Sequence, residues 1–142
     1  STASEKYSRE AADKCSQLDP KLTKETVPLF TQIHHCGSVL AEVFFAMMIS
    51  RILYGSVPAP GTMVVFCILL ATCSIGTPGL SWGTVMVSLG TLTGILKFGD
   101  SGVALMFAVF ALHDAFAAAC NMTCDGAAVL FLTGYVKRHD IK

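Results

Sequence analysis

The sequence predicts an all-α membrane protein in which two transmembrane helices, the first broken by a polar patch, flank a re-entrant helical hairpin. Hydrophobic residues make up 53% of the 142 residues and the mean hydropathy is +0.60, too apolar for an ordinary soluble domain. Of ten acidic and ten basic residues, half lie within residues 1–25, and none falls between Arg51 and Lys97. Apolar runs of membrane length alternate with runs too short to cross. The formal net charge of zero leaves no basic surface for nucleic acid, so no nucleic-acid partner is expected. Cys67, Cys73, Cys120 and Cys124 sit in apolar helical stretches, where free thiols pack as small hydrophobes and a disulfide framework is not expected. The chain has neither an initiator methionine nor a signal-peptide pattern at its front, and the expectation is a piece of a longer protein.

Residues 1–27 are polar and charged, with Pro20 as a breaker, and read as a cytoplasmic lead segment. The rest, residues 28–142, divides into a broken helix over 28–54, a hairpin over 61–98 and a last helix over 101–138. In the first, the apolar run VLAEVFFAMMISRILY follows the polar patch Thr31-Gln32-Ile33-His34-His35-Cys36-Gly37-Ser38. Such a patch at membrane depth is costly unless it faces protein or a water-filled cavity, which predicts a break in the helix. The Gly55–Gly61 turn carries Pro58 and Pro60, and the run TMVVFCILLATC beyond it is too short for a span. It ends at Ser74-Ile75-Gly76-Thr77-Pro78-Gly79, and the run from Trp82 to Phe98 is again short, so the two read as arms of a re-entrant hairpin. Gly99-Asp100-Ser101 then offers an N-cap for a full span. Lys21 and Lys24 before the first span, and Lys137, Arg138 and Lys142 after the last, place both termini in the cytoplasm.

Within the last span the formal charges are Asp114 and Asp125. An ionised group at that depth costs at least ~2.5 kcal/mol, which makes intramembrane carboxylates candidate functional residues. At ~100° per residue Asp114, Asn121 and Asp125 form a narrow polar stripe, with Ala117 beside it and Thr123 off to one side. A carboxylate there can accept from a substrate ammonium group or hold a hard cation together with the Asn121 amide oxygen, and sodium suits such a site. Asn121-Met122-Thr123 matches a glycosylation sequon in the wrong context, a buried helix. His34, His35 and Cys36, or Cys120 with Cys124, lack a four-ligand metal pattern. His113, beside Asp114, faces another way on a helix. No nucleophile motif or phosphate loop is present, so no enzyme is expected.

Pro28-Leu29 leading into the polar break, the tip Ser74-Ile75-Gly76-Thr77-Pro78-Gly79, and Asp114 followed by Asn121-Met122-Thr123-Cys124-Asp125 together resemble the dicarboxylate/amino acid:cation symporter family, the glutamate transporter homologues. The resemblance covers roughly residues 28–138 and corresponds to the last third of a family member: seventh helix, second hairpin and eighth helix of the transport domain. It implies that Asp114 holds the substrate's amino group, that Asn121 binds the substrate or its ion shell, and that Asp125 ligates sodium. It further implies that the tip, with Ser74, Thr77, Pro78 and Gly79, closes over the substrate as the outer gate. The implied activity is symport of an amino acid with sodium, or alternatively a proton, as coupling ion and with no other cofactor. The implied setting is the plasma (inner) membrane, crossed several times, in contact with lipid and with scaffold helices encoded upstream, as a homotrimer at full length.

This sequence departs from the family at four places. Ala117 stands where members that carry aspartate or glutamate have an arginine, and loss of that guanidinium leaves a second substrate carboxylate unpaired, which points to a neutral amino acid. His34-His35-Cys36-Gly37-Ser38 stands where the family reads Asn-Met-Asp-Gly-Thr, and Cys36 is a poor ligand for a hard cation. The tip is about a residue shorter, with Leu80-Ser81-Trp82 where a glycine-rich stretch is usual, and Ser1–Cys15 is more polar than the family's first-hairpin arm. The alternatives are an acidic substrate paired with His113 or Arg51, and a non-transporting, sensing or degenerate paralogue.

Overall fold

The computed structural model describes residues 2–77 and 83–140. They form six helices: α1 (Thr2–Asp13), α2 (Pro20–Ile33), α3 (Cys36–Tyr54), α4 (Pro60–Ile75), α5 (Gly83–Gly94) and α6 (Asp100–Arg138). Among the described residues there is no strand. Two stretches are long and apolar enough to cross a membrane, Pro20–Tyr54 and Asp100–Arg138.

The polar lead does not run to residue 27 as a separate stretch, because Asp19 starts a helix there. Its carboxylate accepts from the backbone N–H of Lys21 (2.8 Å) and Leu22 (3.0 Å), and Pro20 at the first helical position needs no N–H partner. α2 therefore takes in residues 20–27, burying Thr23 and Val27. α1 is a polar helix with a Glu5–Arg9 pair at 2.7 Å, and it packs against α2 and α6. Lys137 at the end of α6 donates to the Gln17 carbonyl (3.2 Å), tying the α1–α2 turn to the last helix.

The break between α2 and α3 falls inside the polar patch. His34 (φ −102°, ψ 101°) and His35 (φ −116°, ψ 38°) leave helical geometry, and the His34 N–H closes α2 by donating to Phe30 O. α3 ends at Gly55, whose φ of +74° is the left-handed cap that glycine adopts without penalty. At 16 and 12 residues, α4 and α5 are about 24 and 18 Å long, short of the ~30 Å hydrocarbon core, and they pack against each other as a helical hairpin. Tyr54 Oη accepts from the Gly99 N–H (3.0 Å), joining the end of α3 to the start of α6.

The core runs between α3 (Phe45, Ile49), α4 (Phe66, Leu70), α5 (Val85, Leu92) and α6 (Met106, Phe110). Large apolar side chains also point outward, Leu112 at 84% exposure and Phe131 at 78%, as expected of helices facing lipid or further protein. α3 and α6 approach closely at Gly37. A Cβ there would lie 2.5 Å from Cys120 Cβ and 2.7 Å from the Ala117 carbonyl oxygen. Gly37→Ala is therefore expected to destabilise the fold by about 1–3 kcal/mol, the usual cost of overpacking. Gly61→Ala, whose Cβ would meet open space, serves as the control. Thermal unfolding in detergent checks this, and equal melting of the two variants would contradict the close approach.

Candidate functional site

The polar stripe of α6 meets the break between α2 and α3 along its C-terminal half. Asn121 is central. Its Oδ1 accepts from the backbone N–H of Gly37 (2.7 Å) and of Ser38 (3.3 Å), and its Nδ2 donates to Ser38 Oγ (3.0 Å). The first N–H groups of any helix lack intrahelical partners, and His35, at the cap position of α3, makes no side-chain capping bond. Asn121 thus caps α3 from another helix. One turn further along, Asp125 is 2% exposed and its Oδ1 pairs with His34 Nδ1 at 2.7 Å.

Ala117, also 2% exposed, lies in the contact with Gly37 and lines no open wall beside the stripe. Asp114 is half-buried about 10 Å up the helix from Asn121, and among the described residues it has no hydrogen-bond partner or ion pair. His113 next to it packs its ring between Phe45 (5.1 Å, edge-on) and Phe116 (5.4 Å, stacked). At the hairpin, Ser74 and Thr77 are buried, and their hydroxyls donate to Ala71 O (2.8 Å) and Cys73 O (3.1 Å) in their own turns. The ring of His35 stands against the Ser74 backbone, which links the break to the end of α4. Pro78 and Gly79, with Leu80-Ser81-Trp82, lie outside the described residues.

The structure therefore brings His34, His35, Gly37, Ser38, Ser74, Asn121 and Asp125 into one neighbourhood and leaves Asp114 apart from it. All six cysteines are free; Cys36 and Cys124 lie against each other, and Cys120 is exposed although its Cβ lies beside Gly37. A cavity of about 380 Å³ opens between α1, α2 and α6 beside Asp125, lined by Cys15, Val27, Met122 and Val129 among others. Its wall is mostly apolar, which does not suit a zwitterion.

Glu42 escaped the sequence reading. It is fully buried on α3, where fully buried Ser88 of α5 donates to its Oε1, while Oε2 has no partner among the described residues. The signal was present, since a lone carboxylate in the run VLAEVFFAMMISRILY meets the same criterion that singled out Asp114 and Asp125.

Whether the stripe suits sodium depends on which lone pairs are available. A hard cation takes several oxygen ligands. Here one Asp125 oxygen is engaged by an imidazole, the Asn121 oxygen is shared by two backbone N–H groups, the Ser38 hydroxyl accepts from Asn121 Nδ2, the Ser74 hydroxyl is turned to its own helix, and the other neighbouring side chains are imidazoles and thiols. This donor set does not fit sodium. Among the described residues no three His, Cys, Asp or Glu side chains stand together so as to hold a metal ion.

Comparison with known families gives a match of residues 7–134 to the model of the sodium:dicarboxylate symporter family, a span that starts within α1. No curated protein and no solved structure matches.

Loss of the Asn121 amide should cost about 1–2 kcal/mol, the value of a helix cap. Asn121→Ala is expected to lose that stability and to speed hydrogen exchange at the Gly37 and Ser38 amides, whereas Asn121→Asp keeps both. Unchanged exchange at those two amides in Asn121→Ala would refute the capping role.

Proposed function

Since the chain belongs to the sodium:dicarboxylate symporter family, we propose that it is the substrate-holding part of a secondary active transporter that moves a small neutral amino acid together with a cation. The observation that carries this is the broken helix clasped by the polar stripe of α6, at the depth where both crossing stretches are apolar. Backbone groups freed at such a break lie in the membrane without direct exposure to lipid, the arrangement that transporters use for substrate sites.

In this reading Asp114 receives the substrate ammonium group. Asn121 holds the break that forms the floor of the site, and Ser74, Thr77, Pro78 and Gly79 supply the hairpin tip that closes over it. The neutral substrate follows from the surroundings of Ala117. It is 2% exposed and packed in the core, which leaves no place for a long cationic side chain at that position. Arg51 turns its guanidinium to the Gly55 carbonyl at the far end of α3, and His113 is enclosed by two phenylalanine rings. A second carboxylate on the substrate would have no partner, at a penalty of several kcal/mol. Scaffold helices outside this chain would complete the alternating-access machinery, and transport would involve no covalent step.

Glu42 favours a proton as the coupling ion. A carboxyl group removed from water, with one hydroxyl neighbour and one unpartnered oxygen, can take up or release a proton without any other cation.

Uptake of labelled serine by proteoliposomes of the full-length protein tests these assignments. Asp114→Ala should abolish uptake, and unlabelled aspartate should not compete in the wild type. Glu42→Gln should keep serine binding and lose the response to an imposed proton gradient. Full competition by aspartate would overturn the neutral-substrate assignment, and an unaltered gradient response in Glu42→Gln would overturn the proton assignment.

A further inference from the structure

We infer that the imidazole of His34 takes the place of a metal cation at Asp125, so that the site built on Asn121 and Asp125 closes without sodium. The inference rests on the symport reading and narrows it: coupling to an ion, where it occurs, does not pass through this carboxylate.

Four observations converge on the site. Asp125 is nearly inaccessible, so whatever satisfies its carboxylate must be in direct contact, and His34 Nδ1 is, at 2.7 Å. The extended backbone of His34, outside both α2 and α3, frees its side chain to reach α6, which a continuous helix through the patch would not do. The Asn121 oxygen could turn to an ion only by releasing the N–H groups of Gly37 and Ser38. Both residues are buried, and an orphaned buried donor costs about 1–3 kcal/mol. Of the remaining neighbours, His35, Cys36 and Cys124 present nitrogen and sulfur where a hard cation requires oxygen, and the Ser38 hydroxyl accepts from Asn121 Nδ2.

The pairing also explains how the break is held on both sides. Asn121 fixes the α3 side and Asp125, through His34, fixes the α2 side, so two residues one turn apart on α6 close the gap with groups of the chain itself.

The test is the thermal unfolding of the full chain in detergent, in sodium chloride and in choline chloride at equal concentration. A cation that binds only the folded form raises the melting temperature, by a few degrees at saturating concentration. The wild type is expected to melt equally in the two salts. His34→Ala, which leaves the Asp125 carboxylate without its partner, is expected to melt lower in choline and to gain a sodium-dependent rise. A sodium-dependent rise in the wild type that Asp125→Asn removes would overturn the inference, as would a His34→Ala protein as indifferent to sodium as the wild type. A rise in the wild type that survives in Asp125→Asn would place sodium elsewhere and leave the inference standing. Should His34→Ala not fold, the comparison of wild type with Asp125→Asn decides alone. Labelled serine binding, measured in both salts on the full-length protein, separates the two readings, because absence of binding in either salt defeats the symport proposal without moving the melting comparison.

Discussion

A helix interrupted within an apolar span exposes backbone donors that neither lipid nor the helix itself can satisfy, and the fold depends on how that is resolved. Here the solution is one amide. Asn121 of α6 accepts from the N–H groups of Gly37 and Ser38, and this requires α6 to lie almost against the α3 backbone. The glycine at the crossing follows from the same requirement: a Cβ on Gly37 would run into the α6 backbone at Ala117 and the Cβ of Cys120. The break, the close helix contact and the polar stripe are one constraint seen from three sides.

That constraint divides the stripe. Its C-terminal half, Asn121 and Asp125, is engaged in holding α2 and α3, whereas Asp114 keeps a carboxylate without a protein partner among the described residues. A group that is already satisfied stabilises the fold, and one left available can bind a ligand. The division leaves a carboxylate available on the upper part of α6 and gives the lower part an architectural role, on a single helix whose residues look equivalent in projection.

The hairpin meets the rest of the chain through a second polar contact. Ser88 of α5 donates to Glu42 of α3 in the core, one turn beyond Ser38, so the helix that α6 caps also carries the buried carboxylate facing the hairpin. Motion of α4 and α5 against α3 would alter the surroundings of Glu42, and the state of Glu42 would in turn bias that motion. Both of these contacts lie within the first two turns of α3, next to the break.

Much of the architecture is legible from local pattern. Hydropathy separates long runs from short ones, Pro58, Pro60 and Gly55 mark the turn after α3, the patch around His34 and His35 marks the break, and the ~100° step along α6 aligns Asp114, Asn121 and Asp125. These signals act over a few residues, so one sequence suffices to read them. The start of α2 was obscured because residues 20–27 are polar, although Asp19 before Pro20 is a capping signal. Only the tertiary structure decided that Asn121 turns to Gly37 and Ser38, that His34 reaches Asp125 across 91 positions, that Ala117 is a packing residue and that Glu42 faces Ser88. Periodicity tells which residues share a face, but which face meets which, and at what register, is set by the volumes in contact and by the need to satisfy every buried donor. That condition involves residues far apart in the chain and belongs to none of them alone.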